Sequence, residues 1–198
     1  MRKLLVAGVA VAVAGAAVFL TLPLPSIAQQ QAAQAPADSI VAPRLTVADS
    51  ANLRGPRQPI FFRHDIHAGQ FKIQCQYCHY SVADGNEPGI PSVQTCMGCH
   101  LAIAGTDSTD RAEIRKVREA FREKRPIEWV RIHTLAKHAH FPHSVHVKAM
   151  GPNACSTCHG DVARMPQVFK ANNVNNMGFC ISCHVERGVT RDCTACHY

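Results

Sequence analysis

The sequence predicts a mostly irregular, α-leaning fold, with short helices packed around covalently attached groups and sparse regular secondary structure. Three observations predict it. All ten cysteines fall in five Cys-x-x-Cys-His motifs, with none left over. Glycine and proline, twelve of each, punctuate the stretches between the motifs. Only one segment, 107–125, carries a clear helical pattern of its own.

The motifs are Cys75/Cys78/His79, Cys96/Cys99/His100, Cys155/Cys158/His159, Cys180/Cys183/His184 and Cys193/Cys196/His197. This spacing is the attachment signature of c-type haem. The two cysteines add to the vinyl groups, and the following histidine becomes the proximal iron ligand. Disulfide frameworks do not demand a histidine after every second cysteine. Four-ligand zinc sites would take the Cys-x-x-Cys pairs in twos, and five is odd. The expected cofactor set is therefore five covalent haem c groups, which would supply most of the apolar core.

Residues 1–28 read as a signal peptide or N-terminal membrane anchor. Met1-Arg2-Lys3 is basic, Leu4 to Leu20 is an unbroken apolar or small run, and Ser26-Ile27-Ala28 offers a small-x-small cleavage site. Either reading places the rest of the chain on the outer, periplasmic side of the cytoplasmic membrane. The formal charge of +7 falls to +5 without Arg2 and Lys3. About ten haem propionates would offset it, so the basic residues read as propionate compensation and not as a nucleic-acid surface.

Residues 29–59, rich in Gln, Ala, Pro and Ser, are expected to form an extended linker or arm. The first haem module follows over 60–106, with two motifs. It opens on His64 and His67, whose i,i+3 spacing puts both rings on one helical face. One iron cannot take both, so the pair should serve two neighbouring haems. Residues 107–140 are a helix and connector. Asp110 and Glu113 suggest a capping box, Ile114, Val117 and Phe121 an apolar stripe, and Pro126 a stop. The second module, 141–198, repeats the order aromatic, x, His, x, x, His with His143 and His146, then carries three motifs.

Seven histidines lie outside the motifs: His64, His67, His133, His138, His140, His143 and His146. Five irons need five distal ligands if all are six-coordinate. His64, His67, His143 and His146 recur in the repeat. His133 is the expected fifth, with Met177, His138 and His140 as alternatives. A Met ligand would raise that haem's potential.

Several segments resemble the pentahaem cytochrome c subunit of alternative complex III. They are Phe62-Arg-His64-x-x-His67-Ala-Gly, Cys75-Gln-Tyr-Cys78-His79, Gly89-Ile-Pro-Ser-Val-x-Thr-Cys96-Met-x-Cys99-His100, Pro126-Ile-Glu-Trp-Val-Arg-Ile-His133 and Met177-Gly-Phe-Cys180. The resemblance covers roughly 60–198, and the histidine-pair layout is also that of cytochromes c3 and c7. It implies a multihaem cytochrome c on the periplasmic face of a membrane quinol-oxidising complex. Its partners would be an iron–sulfur/molybdopterin-like subunit, polytopic subunits, and a monohaem cytochrome c or oxidase as acceptor. It implies His64, His67, His133, His143 and His146 as distal ligands and an electron-transfer subunit that is not catalytic by itself. A stand-alone periplasmic shuttle of the c3/c7 type is the alternative. An enzyme would need one five-coordinate iron, against which the surplus of histidines argues.

Overall fold

Each of the five motifs coils into a helical turn. The helices are Cys75–Cys78, Val93–His100, Ala154–His159, Met177–Glu186 and Cys193–Cys196. Helical pitch brings the i and i+3 cysteines onto one face, with the histidine at i+4 beside the first. Side chains cap two of these helices: Asn176 Oδ1 accepts from Gly178 N (2.7 Å) and Asp192 Oδ1 from Thr194 N (3.0 Å). The computed structural model describes residues 45–198, all within one unit, 39–198. The leader expected over 1–28 and the beginning of the arm lie outside the described residues. Among the described residues there is no β-strand, and no helix is long and apolar enough to cross a membrane.

The expected helix of the connector is Ser108–Arg122. Its start differs from the expected capping box. Asp107 is the cap, accepting from Thr109 N (2.8 Å) and Asp110 N (2.9 Å). Asp110 instead accepts from the Thr106 hydroxyl at 2.8 Å. Glu113 is buried, accepting from Phe61 N at 2.8 Å. The buried stripe is thus Glu113, Val117 and Ala120, while Phe121 is 40% exposed. A tertiary partner for one carboxylate rotated the helix away from its most apolar face.

This helix packs on Val93–His100. Val117 joins Ile60 and Met97 in a small cluster flanked by Val93, Ile127 and Trp129. Such a core is slight for a chain of this length.

The arm, from residue 45, lies against the rest of the protein. Buried Gln167 donates to the carbonyls of Arg54 (3.3 Å) and Gly55 (2.9 Å). The Arg54 guanidinium stacks over Phe169 at 3.8 Å. Gly55 has φ +92°, and a Cβ there would meet Val168 O at 2.3 Å, so only glycine fits. Gln58 exchanges two hydrogen bonds with the Val130 backbone, 3.0 and 2.9 Å.

The two modules interlock reciprocally. The turn carrying His64 and His67 packs on Val162–Arg164, just after His159; Asp65 N donates to Met165 O at 3.3 Å. The helix carrying His143 and His146 packs on Tyr80–Ala83, just after His79; Ser144 N donates to Gly85 O at 3.1 Å. Each histidine pair is therefore seated on the other module.

Candidate haem-ligating site

The i,i+3 spacing predicts an α-helical turn for each histidine pair. The second pair follows it, in the helix His143–Met150. The first pair does not: His64 caps a π-helical turn, Asp65–Gln70, a form concentrated at functional sites. Two points of that turn are tied to the other module. One is the Asp65 bond to Met165; the other is Gly69, whose missing Cβ would meet Ala163 O at 2.2 Å. Asp65 is buried and held by Arg63, with Nε to Oδ1 at 2.7 Å.

Despite the different turns, the rings are placed alike. Phe62 meets His64 edge-on at 4.8 Å and stacks on His67 at 4.4 Å. Phe141 meets His143 edge-on at 4.7 Å and stacks on His146 at 4.1 Å. His67 Nδ1 bonds to Arg63 O (2.8 Å) and His146 Nδ1 to Pro142 O (2.9 Å), each four residues back.

Two imidazoles on opposite faces of one metal, each bonded at about 2.0 Å, have ring centres about 6 Å apart. His67 lies 6.1 Å from His100, and His146 lies 6.1 Å from His184. His143 lies 6.5 Å from His159, with planes 5° apart. In each module the second histidine of the pair thus faces the second motif. His143, the first of its pair, faces the first motif of its module. His64, the first of its pair, is coupled electrostatically to His79, the first motif of its own module. His133 also touches His159, edge-on at 4.5 Å, and its Nε2 is buried without a partner. His138 lies 5.4 Å from His197.

A haem-ligating histidine leaves Nε2 free and anchors Nδ1. Four of the five motif histidines anchor Nδ1 in this way. His79 Nδ1 pairs with Gly89 O (2.9 Å), His100 with Ile103 O (3.1 Å), His184 with Thr190 O (2.5 Å) and His197 with His138 O (2.9 Å). His143 Nδ1 pairs with Asn86 O at 2.6 Å. Burial and the neighbouring His79 hold His64 down to about 4; burial and His133 do the same for His159. Both rings therefore stay neutral, as a metal ligand must.

All ten cysteines are free thiols. Burial and adjacent motifs push several of them up. Cys78 feels Cys99, Cys155 feels Cys75, Cys158 feels Cys183, and Cys180 feels Cys196. The motifs thus neighbour one another in the order second, first, third, fourth, fifth. Among the described residues no three or more His, Cys, Asp or Glu side chains gather where they could hold a metal ion. The residues present fit covalent haem.

At this point one likeness is informative. The chain is 28% identical over 160 residues to the multihaem cytochrome c subunit of menaquinone reductase from Nitratidesulfovibrio vulgaris, covering 70% of this chain and 74% of that one. No protein-family model matches the chain.

Some supporting residues carried no sequence signal. Arg118, on the connector helix, donates from Nε to His100 O (2.8 Å) and reaches the Ile103 carbonyl (3.4 Å) that also accepts from His100 Nδ1. Its neighbours at i−7, i−3 and i+4, Arg111, Arg115 and Arg122, make it look like one more residue of a solvated face.

Proposed function

We propose that this chain is a pentahaem c-type cytochrome that relays electrons within a membrane quinone/quinol oxidoreductase. The observation that carries the reading is the repeated histidine pair. Two rings, 79 residues apart in sequence, each stand 6.1 Å from the second motif histidine of their module. That spacing suits one iron between two imidazoles and nothing larger.

The cysteines of the five motifs would hold the haems, with His79, His100, His159, His184 and His197 as proximal ligands. His64, His67, His143 and His146 serve the first four motifs, with His133 as a second candidate at His159. Haems bound there would supply one-electron storage and transfer, and an iron with two histidine ligands has no position open to substrate. The chain's own part is to hold His67, His143, His146 and four of the five motif histidines by Nδ1 anchors and to fix the spacing of neighbouring motifs. It is therefore an electron-transfer subunit, not a catalytic one.

The relative's membership of a menaquinone reductase supports a quinone-linked complex as the setting. The finer reading is a subunit like that of alternative complex III, on the periplasmic face. It would be anchored by residues 1–28 or held by iron–sulfur/molybdopterin-like and polytopic subunits, with a monohaem cytochrome c or oxidase downstream. Purification from detergent-solubilised membranes tests this, with subunits identified by mass and haems counted on the intact chain. Five haems and co-purifying quinone-reactive subunits are expected. A free soluble monomer would overturn the complex and favour a c3/c7-type shuttle.

A further inference from the structure

His100 shares its anchor with a cation. Its Nδ1 bonds to Ile103 O at 3.1 Å, the longest such bond of the four anchored motif histidines; the others are 2.9 Å at His79, 2.5 Å at His184 and 2.9 Å at His197. The Arg118 guanidinium reaches the same Ile103 carbonyl from Nη2 at 3.4 Å. It is fixed there by Nε to His100 O at 2.8 Å and Nη2 to Leu101 O at 3.4 Å. We propose that Arg118 is the positioning residue that raises the reduction potential of the haem attached at Cys96 and Cys99, acting through the proximal His100. The inference rests on haem attachment at that motif.

A proximal imidazole bonded to iron through Nε2 carries its proton on Nδ1. The more strongly a carbonyl accepts that proton, the more basic the ring, and the more the ferric state is favoured. A guanidinium that draws on the same carbonyl leaves less electron density for the imidazole proton and makes His100 the weaker donor to iron. Its charge acts in the same sense, because ferric haem carries one more positive charge than ferrous. Packing holds Arg118 in place. It lies on Ser108–Arg122 next to Val117, which packs on Met97 of the motif helix Val93–His100. The three carbonyls it meets lie at and just past the C-terminal end of that helix, the end where the dipole favours a cation.

The motifs neighbour one another in the order second, first, third, fourth, fifth, so this haem stands at one end of the row. A raised potential there draws electrons to that end. Ferrous iron at the first motif gives up one electron, ferric iron at the second takes it, and no bond or proton moves with it.

The test uses the full chain, with haems counted by intact mass and titrated by spectroelectrochemistry. His67 faces His100 at 6.1 Å, so His67→Met should raise the potential of this haem and mark its step. Arg118→Gln should shift that one step to lower potential and leave the others in place. Arg118→Lys, which keeps the charge on a single nitrogen, should shift the same step less. Arg115→Gln makes the same loss of charge at an exposed position of the same helix and should shift none. Five haems with no shifted step in Arg118→Gln would overturn the inference, as would an equal shift in Arg115→Gln or a shift in a step other than the marked one. If Arg118→Gln loses haem, Arg118→Lys decides, and an unmoved step there overturns the inference. Absence of haem at Cys96 and Cys99 in the unmodified chain would instead overturn the haem reading beneath it.

Discussion

The two histidine-pair turns reach the same ligand geometry by different means. In the second, an ordinary α-turn is steered by backbone bonds from His143 and Ser144 to Asn86 and Gly85. In the first, a π-turn is locked from inside by the buried Arg63–Asp65 pair and by a glycine pressed on Ala163. In register with Asp65 and Gly69, the second turn carries Ser144 and Lys148. The aromatic ring and the Nδ1 bond four residues back are what the two share. The ring positions thus follow from those two contacts, and the backbone form of the turn is free to differ.

The largest effect should come from the ligands themselves. His67→Ala and His146→Ala should each convert one low-spin haem to high spin, to the same degree, in absorption and paramagnetic resonance spectra. A large effect in one alone would break the equivalence. Asp65→Ala removes the carboxylate from buried Arg63 and should cost about 3–5 kcal/mol in denaturant unfolding, whereas Ser144→Ala should stay within about 0.5 kcal/mol. Gly69→Ala forces a Cβ against a backbone carbonyl and should cost about 1–3 kcal/mol; Lys148→Ala, at the matching place, should be near neutral. A change of pH gives a further check. His64 and His159 titrate at about 4 folded, against 6.5 ordinarily, so the unfolded chain binds protons first. Stability should fall as pH drops from about 6.5 towards 4, seen as a lower thermal midpoint at pH 5 than at pH 7. A higher midpoint at pH 5 would sink that account.

The five motifs, the two histidine pairs and the connector helix were legible in the sequence because each is a local pattern. The cap on Asp107 was misplaced because Asp110 and Glu113 satisfy the same rule on paper. Glu113 was drawn to the Phe61 amide, 52 residues away, a contact no local pattern reports. Likewise the segment 138–140 reads as an exposed stretch until backbone bonds tie it along 196–198, His140 N to Cys196 O and His197 Nδ1 to His138 O. The arm from residue 45 reads as an extended linker, yet it is held by residues far along the chain, among them Val130, Gln167 and Phe169.

The reciprocal seating of the two turns has a consequence for how the chain acquires its form. Neither pair can settle until distant residues meet, Asp65 with Met165 and Ser144 with Gly85, and such non-local closure is slow because its entropy cost is met before any contact rewards it. The motif helices, by contrast, run only four to ten residues, too short to persist alone. The clasp between the halves is then a late event in folding, each serving as the mould for the other.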